Sequence, residues 1–366
     1  MSAENKNRSP WVDATRGFVV FGVVFAHIWF WMFLPLLDHY WQPAAWAWSI
    51  LVIHLSTIGM PVLFITSGML VSRTVAQGYR NPMVWARSSV LAWLYVVWVL
   101  IYFAVAAFLP IADLPNAVVG PDELISQLWN PTTILWFVFA LTVYTAGMAL
   151  VSRLPPWLVL AALTALALVM AANPSPSLIE RVGLNAVFFA VGVYGAKWVW
   201  RLERPQAWWL ILAVAVLGEA LTLLGNVLAL PVFLAAPVEL VRFFLLALVV
   251  LMLVAHAVRL ATIQHWMGGL GRRTLEVYVL HAPLIWVMLA IPATTTVLLR
   301  LGDMPVMAIV TPWILAIAVT LVTLLLRTLL DRLRLHWLFG PPLSFIRLLQ
   351  RRSERNKSPS GDTSSA

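Results

Sequence analysis

Asp13, Arg16 and His27 lie in the first long apolar run of this chain, where ionisable side chains are costly and mark function. Asp13 and Arg16 are three residues apart, so on a helix they share a face and can pair. Arg16 and His27 are eleven apart, close to three whole turns, which makes a rise of about 16 Å along the same face. One polar stripe is therefore expected from the start of the span to mid-membrane. Its chemistry is proton transfer at His27, the side chain best matched to neutral pH, next to a fixed cation at Arg16. A structural ion pair with a helix-packing histidine is the competing reading of the same residues.

Other residues join the candidate list. Arg73, Arg80 and Arg87 recur every seven residues between the second and third apolar runs. They read either as orienting charges or as a surface for phosphate groups. Pro61 is expected to kink the second helix, and Ser67-Gly68 to admit a close neighbour. Ser67 is not in a G-x-S-x-G elbow, which argues against a hydrolase-type nucleophile. His54 is read equally as an interhelical hydrogen-bond partner and as a functional group. Glu239 and Arg242 are three apart and should pair, whereas Glu219 has no partner close in sequence. Tyr278 and His281 share a helix face, and Glu276 lies roughly 140° away from His281. No H-E-x-x-H, P-loop or dinucleotide fingerprint occurs, no histidines have i, i+4 spacing, and no metal site is expected.

The elements that must hold these groups follow from composition. The 366 residues are 62% hydrophobic and 11% charged, too few charges to cover a water-soluble surface. The expected fold is all-α: a polytopic transmembrane bundle of about ten helices. The spans are expected near 12–34, 45–71, 84–110, 131–152, 156–172, 183–201, 206–226, 234–259, 274–292 and 305–330. With both termini cytoplasmic, the inner side receives Lys6, Arg8, Arg16, Arg73, Arg80, Arg87, Arg153, Lys197, Arg201, Arg204, Arg259, Arg272 and Arg273. It also receives Arg347, Arg351, Arg352, Arg355 and Lys357. The outer loops receive only Arg181 and Arg300 among the arginines, with Asp38, Asp113, Asp122, Glu123, Glu180 and Asp303. The expected division is a cytoplasmic segment 1–10, a membrane domain 11–330 and a basic tail 331–366, disordered from about Ser353. The tail is a candidate for contact with anionic membrane lipid. The net charge of +9 is spread as a membrane-orientation pattern and not as a nucleic-acid footprint. Trp11, Trp41, Trp85, Trp129, Trp198 and Trp200 fall near span ends, where interfacial anchors sit. The absence of cysteine excludes disulfides, thiolate metal sites and a cysteine nucleophile. The N-terminus is not expected to be a cleaved signal, because its apolar run contains Asp13, Arg16 and His27.

Several of these segments, taken in order, resemble the acyltransferase 3 family of membrane acyltransferases. Asp13-Ala14-Thr15-Arg16-Gly17 followed by His27 is similar to its opening, an Arg, ten residues and a His. Leu63 to Leu70, containing Ser67-Gly68, resembles its apolar Ser-Gly segment, and Leu135-Trp136-Phe137 its Leu-Trp-Phe motif. Arg80 and Arg87 resemble its basic inner loop, without the tighter R-x-x-R spacing. Gly271 to His281 is similar to its late G-x-x-S-L-x-x-Y-x-x-H run, with Thr274 in place of Ser. The resemblance implies transfer of an acyl group, commonly acetyl or succinyl, from cytoplasmic acyl-coenzyme A to a hydroxyl. It implies a glycan or small-molecule acceptor, multi-pass residence in the inner membrane, and acyl-CoA as a donor substrate with no bound cofactor. Because the chain has no fused hydrolase-like domain, the acceptor is expected to meet the membrane domain directly or through a separate extracytoplasmic protein.

On that reading His27 is the general base or transient acyl acceptor, Arg16 binds the donor and Asp13 orients Arg16. Arg73, Arg80 and Arg87 would assist donor binding. Ser67, Trp136, Glu239, Arg242, Tyr278 and His281 would support the acceptor side. Two other classes stay open on the residues alone: a secondary transporter or flippase using Glu219, Glu239 and Arg242, and a non-catalytic assembly protein, which leaves the first-span stripe unexplained.

Overall fold

Helix α1 (Pro10–Ile28) starts where Ser9 is extended and Pro10 supplies a φ suited to a first turn. The same device opens α2 (Gln42–Val75), α3 (Pro82–Phe108), α4 (Pro121–Ser126) and α6 (Pro156–Ala172). It opens α13 (Pro292–Gly302) and α14 (Pro305–Arg332) as well. The remaining helices are α5 (Trp136–Leu150), α7 (Leu178–Tyr194), α8 (Ala196–Val199), α9 (Trp208–Val227), α10 (Val232–Ala257), α11 (Ala261–Arg272) and α12 (Thr274–Leu289). This computed structural model describes residues 9–111, 114–173 and 178–342. Lys6, Arg8, Asp113 and the tail basic residues Arg347, Arg351, Arg352, Arg355 and Lys357 lie outside the described residues, as does the stretch from Ser353.

Among the described residues the fold is all helix, without strands. Among the described residues six helices are long and apolar enough to cross a membrane, or up to eight if each of two bent pairs is one span. The chain is a multi-pass membrane protein. The expected fourth and fifth spans, 131–152 and 156–172, correspond to α5 and α6, which at 15 and 17 residues are short for a full crossing. The expected span 183–201 is broken: helix Glu180–Tyr194 turns by 76° into Ala196–Glu203 at Gly195. The segment between α10 and α12, expected to be a loop, is the helix α11. It escaped the apolar-run reading because it is short, amphipathic and glycine-rich.

α1 is the hub and packs on α11, α2, α14, α12 and α10. Two crossings bring backbones into contact. A Cβ on Gly271 would stand 1.6 Å from the Asp13 carbonyl oxygen, and one on Gly17 2.0 Å from that of Met267. A Cβ on Gly68 would lie 2.2 Å from the Phe189 oxygen, and one on Gly192 2.1 Å from that of Ile65. The close neighbour expected at Ser67-Gly68 is therefore α7. Such approaches are how helices associate where lipid removes the hydrophobic driving force.

Prolines inside helices release carbonyls, and two of these are recaptured by aromatic donors. Pro312 in α14 cannot bond the Ala308 carbonyl, which accepts instead from Tyr40 Oη at 2.5 Å and Trp48 Nε1 at 3.1 Å. Pro283 in α12 likewise releases Val279, whose oxygen accepts from Tyr102 Oη at 2.9 Å.

Trp11 departs from the anchor reading: it is buried, and its Nε1 donates to the Leu251 carbonyl at 3.1 Å. Trp85, Trp129 and Trp198 are exposed. Beyond α14, residues up to Phe339 dock on the bundle. Trp93 and Trp98 donate to the carbonyls of Trp337 (2.7 Å) and Leu338 (2.8 Å), and Arg327 lies over the Phe339 ring.

Candidate active site

The second half of α1 carries His27 and then widens into a π-helical turn, Trp29–Phe33, a distortion often found at functional sites. His27 faces α12. Its Nδ1 is 3.0 Å from Nε2 of His281, and the two rings lie 5.0 Å apart at 28°. His281 is fully buried, and its Nδ1 is 3.1 Å from the Val277 carbonyl oxygen. A carbonyl only accepts, so His281 Nδ1 carries the proton and a neutral His281 presents its Nε2 lone pair. His27 Nδ1 must then donate, which leaves the lone pair on His27 Nε2. Trp31 covers the His27 ring at 4.6 Å.

His27 lines a cavity of about 580 Å³; His281 does not. The volume is in the usual range for small-molecule sites, roughly 300–1,000 Å³. Aromatic walls come from Phe30, Trp31, Trp136, Phe243 and Tyr278. Polar groups come from Ser56, Thr57, Asn116, Arg181, Asn185 and Glu239.

Each wall is fixed by a local device. Tyr278 donates its hydroxyl to the Ile134 carbonyl, which holds the start of α5 and therefore Trp136. Phe137 packs on Phe64 at 5.0 Å and on Tyr278 at 5.4 Å. Trp286 Nε1 donates to the Pro115 carbonyl at 3.0 Å, next to Asn116, whose φ of 55° suits asparagine better than most residues. Glu239 is gripped by Arg242 through two bonds, Nε to Oε2 at 2.9 Å and Nη2 to Oε1 at 2.8 Å. The expected pair thus forms, with the Arg242 side chain buried behind the Glu239 carboxylate.

The structure therefore gathers His27, Trp136, Glu239 and Tyr278 at one cavity, with His281 and Arg242 immediately behind. Ser67 is half-buried on α2 and does not line it. Arg73, Arg80 and Arg87 are exposed at the join of α2 and α3, away from it. Asp13 is buried near the start of α1 and Arg16 half-buried one turn on; both have partners in the fold. Asp13 borders a second depression, of about 470 Å³, with Gln264, His265, Gly268 and Arg272 of α11. Glu219 finds its partner across helices, His54 Nε2 at 3.4 Å. Glu276 faces Arg327 of α14 at 3.8 Å, away from the cavity.

Sequence reasoning missed Arg181, Asn116 and Asn185. The only signal for Arg181 was its being one of two arginines expected on a cation-poor side. Asn116 sits in a loop brought inward by Trp286, and nothing in its neighbours announces that. No curated protein and no solved structure matches the chain. A family model described as an acyltransferase domain matches residues 9–332, nearly all of the membrane part. With His27 and the late Tyr278–His281 run meeting at one cavity, the chain belongs to the acyltransferase 3 family of membrane acyltransferases.

Proposed function

We propose that this protein moves an acyl group, acetyl or succinyl, from acyl-coenzyme A to a hydroxyl of a glycan or other small envelope acceptor, with His27 as general base. The observation that carries this reading is the chain Val277 oxygen, His281, His27. It fixes the ring and leaves Nε2 of His27 as the basic atom, on the one imidazole of the two that lines the cavity. Nε2 takes the acceptor hydroxyl's proton as the oxygen bonds to the thioester carbonyl carbon. The tetrahedral adduct then collapses, the carbon–sulfur bond breaks, and the imidazolium returns the proton to the departing thiolate. In a two-step version Nε2 attacks the thioester carbonyl carbon and the carbon–sulfur bond breaks to release the coenzyme A thiolate; the hydroxyl oxygen then displaces Nε2 from the acyl carbon, and its proton goes by way of the freed Nε2 to the thiolate. His281 is a positioning residue in either route.

The arginine distribution supports ten spans with both termini cytoplasmic, in the inner membrane, counting α5 and α6 as crossings. The start of α1 then faces the cytoplasm, and the His27 cavity belongs to the outer half. The donor enters at the depression beside Asp13, His265 and Arg272. Arg16 binds its phosphate or pantetheine end, with Asp13 orienting Arg16. The exposed Arg73, Arg80 and Arg87 gather the anionic donor at the surface. Trp136, Glu239 and Tyr278 shape the acceptor side. Ser67 serves the α2–α7 crossing through its neighbour Gly68. The acceptor is presented from the outer side, directly or by a separate extracytoplasmic protein.

Purified protein incubated with radiolabelled acetyl-CoA and envelope glycan tests the reading. Label in the glycan, absent without enzyme, is expected. Failure to bind acetyl-CoA at all would remove the donor assignment.

A further inference from the structure

Arg181 has no part in the proton chemistry just described, yet it stands in the same cavity. It lies in the first turns of α7 and shares the cavity lining with His27 and Tyr278. Among the described lining residues the other charged group is Glu239, and its two carboxylate oxygens are already held by Arg242. Among the described residues no carboxylate lies within ion-pair distance of Arg181. Counting Arg242 behind the wall, the described charges Arg181 (+1), Glu239 (−1) and Arg242 (+1) sum to one positive charge. Asn116 and Asn185, on the same lining, offer neutral donors and acceptors.

Arg181 is exposed on the cavity lining, and with no carboxylate within ion-pair distance among the described residues its charge is open to a bound anion. It presents a flat fork of donors matched to a carboxylate or a phosphate. The aromatic walls, Trp31 and Trp136 among them, suit the apolar faces of a ring-shaped ligand. We infer that the cavity selects an acceptor carrying its own anionic group: a hydroxyl compound of sugar size with a carboxylate or phosphate, held by Arg181 while a hydroxyl of the same molecule faces His27. The inference rests on the acyltransferase reading for the second half of that statement only; anion recognition by Arg181 stands without it.

The experiment is equilibrium binding to the purified full chain in lipid nanodiscs, with glucuronate, glucose 6-phosphate and glucose as probes and acetyl-CoA as a parallel ligand. Glucuronate or glucose 6-phosphate is expected to bind at least about tenfold more tightly than glucose, since a charge-assisted pair contributes about 1.5–3 kcal/mol. Arg181→Gln should remove that preference and Arg181→Lys should restore part of it, with acetyl-CoA binding unchanged in both. A preference for glucuronate over glucose 6-phosphate, or the reverse, identifies the anion as carboxylate or phosphate. Equal binding of all three probes, no binding of either anion, or an anion preference that survives Arg181→Gln overturns the inference. Loss of acetyl-CoA binding by the unaltered chain, with the Arg181-dependent preference intact, overturns the acyltransferase reading instead.

Discussion

The two halves of α1 are built on opposite plans. From Asp13 to Gly17 the helix meets α11 backbone to backbone, with no room for a methyl group at Gly17 or Gly271. From Val23 to Trp31 it opens into the 580 Å³ cavity and loosens into a π turn. The first half fixes the position of the helix; the second exposes one imidazole. Two regions on one helix thus divide the work of placing an imidazole and of leaving space around it, as preorganised sites require.

The largest effect on stability should come from breaking the closed half. Gly271→Ala places a methyl against the Asp13 carbonyl and is expected to destabilise by at least the ~1–3 kcal/mol of an overpacked core. Thermal unfolding in detergent reads it out. Gly147→Ala, where a Cβ meets nothing within 4 Å, should instead be neutral or stabilising by up to about 1 kcal/mol.

Next comes the open half. His281→Ala removes the partner that orients His27 and should lower kcat about tenfold to a hundredfold with little change in KM, since a small misplacement of a reacting group costs that much. His281→Gln, which can still offer an acceptor to His27 Nδ1, should recover part of the rate. Equal losses in both variants would indicate a packing role for His281.

A smaller effect on stability than that of Gly271→Ala is expected one step further out. Tyr102→Phe strips the donor from the Val279 carbonyl that Pro283 releases, at about 1–3 kcal/mol. The double variant Tyr102→Phe/Pro283→Ala regains a backbone donor and should be more stable than Tyr102→Phe alone. Smallest of all, Arg80→Ala is expected to leave stability within about 0.5 kcal/mol, because the side chain is exposed, and to raise the donor KM a few-fold.

The polar stripe of α1 was legible in the sequence, and the glycine crossing that closes its first half was not. Arg16 and His27 repeat at helical spacing inside an apolar run, and that periodicity survives into the structure because α1 is continuous from Pro10 to Ile28. Tyr278 and His281 were readable for the same reason. What periodicity cannot give is the partner helix. That His281 meets His27, that Glu219 meets His54 and that Glu276 meets Arg327 are facts of packing between segments distant in the chain. α11 was invisible because its contact surface is glycine, which leaves no apolar signature. Arg181 was read as a loop charge; the structure places it in the first turns of α7, on the cavity lining.

The central claim is that His27 Nε2 moves the proton, or carries the acyl group, at the end of a fixed imidazole chain. The measurement that tests it most directly is acyl transfer by purified His27→Ala protein, with acetyl-CoA binding and thermal stability recorded on the same sample. The account predicts a loss of about 10²–10⁴-fold in turnover with donor binding and folding retained. Full transfer by a folded His27→Ala protein would contradict it.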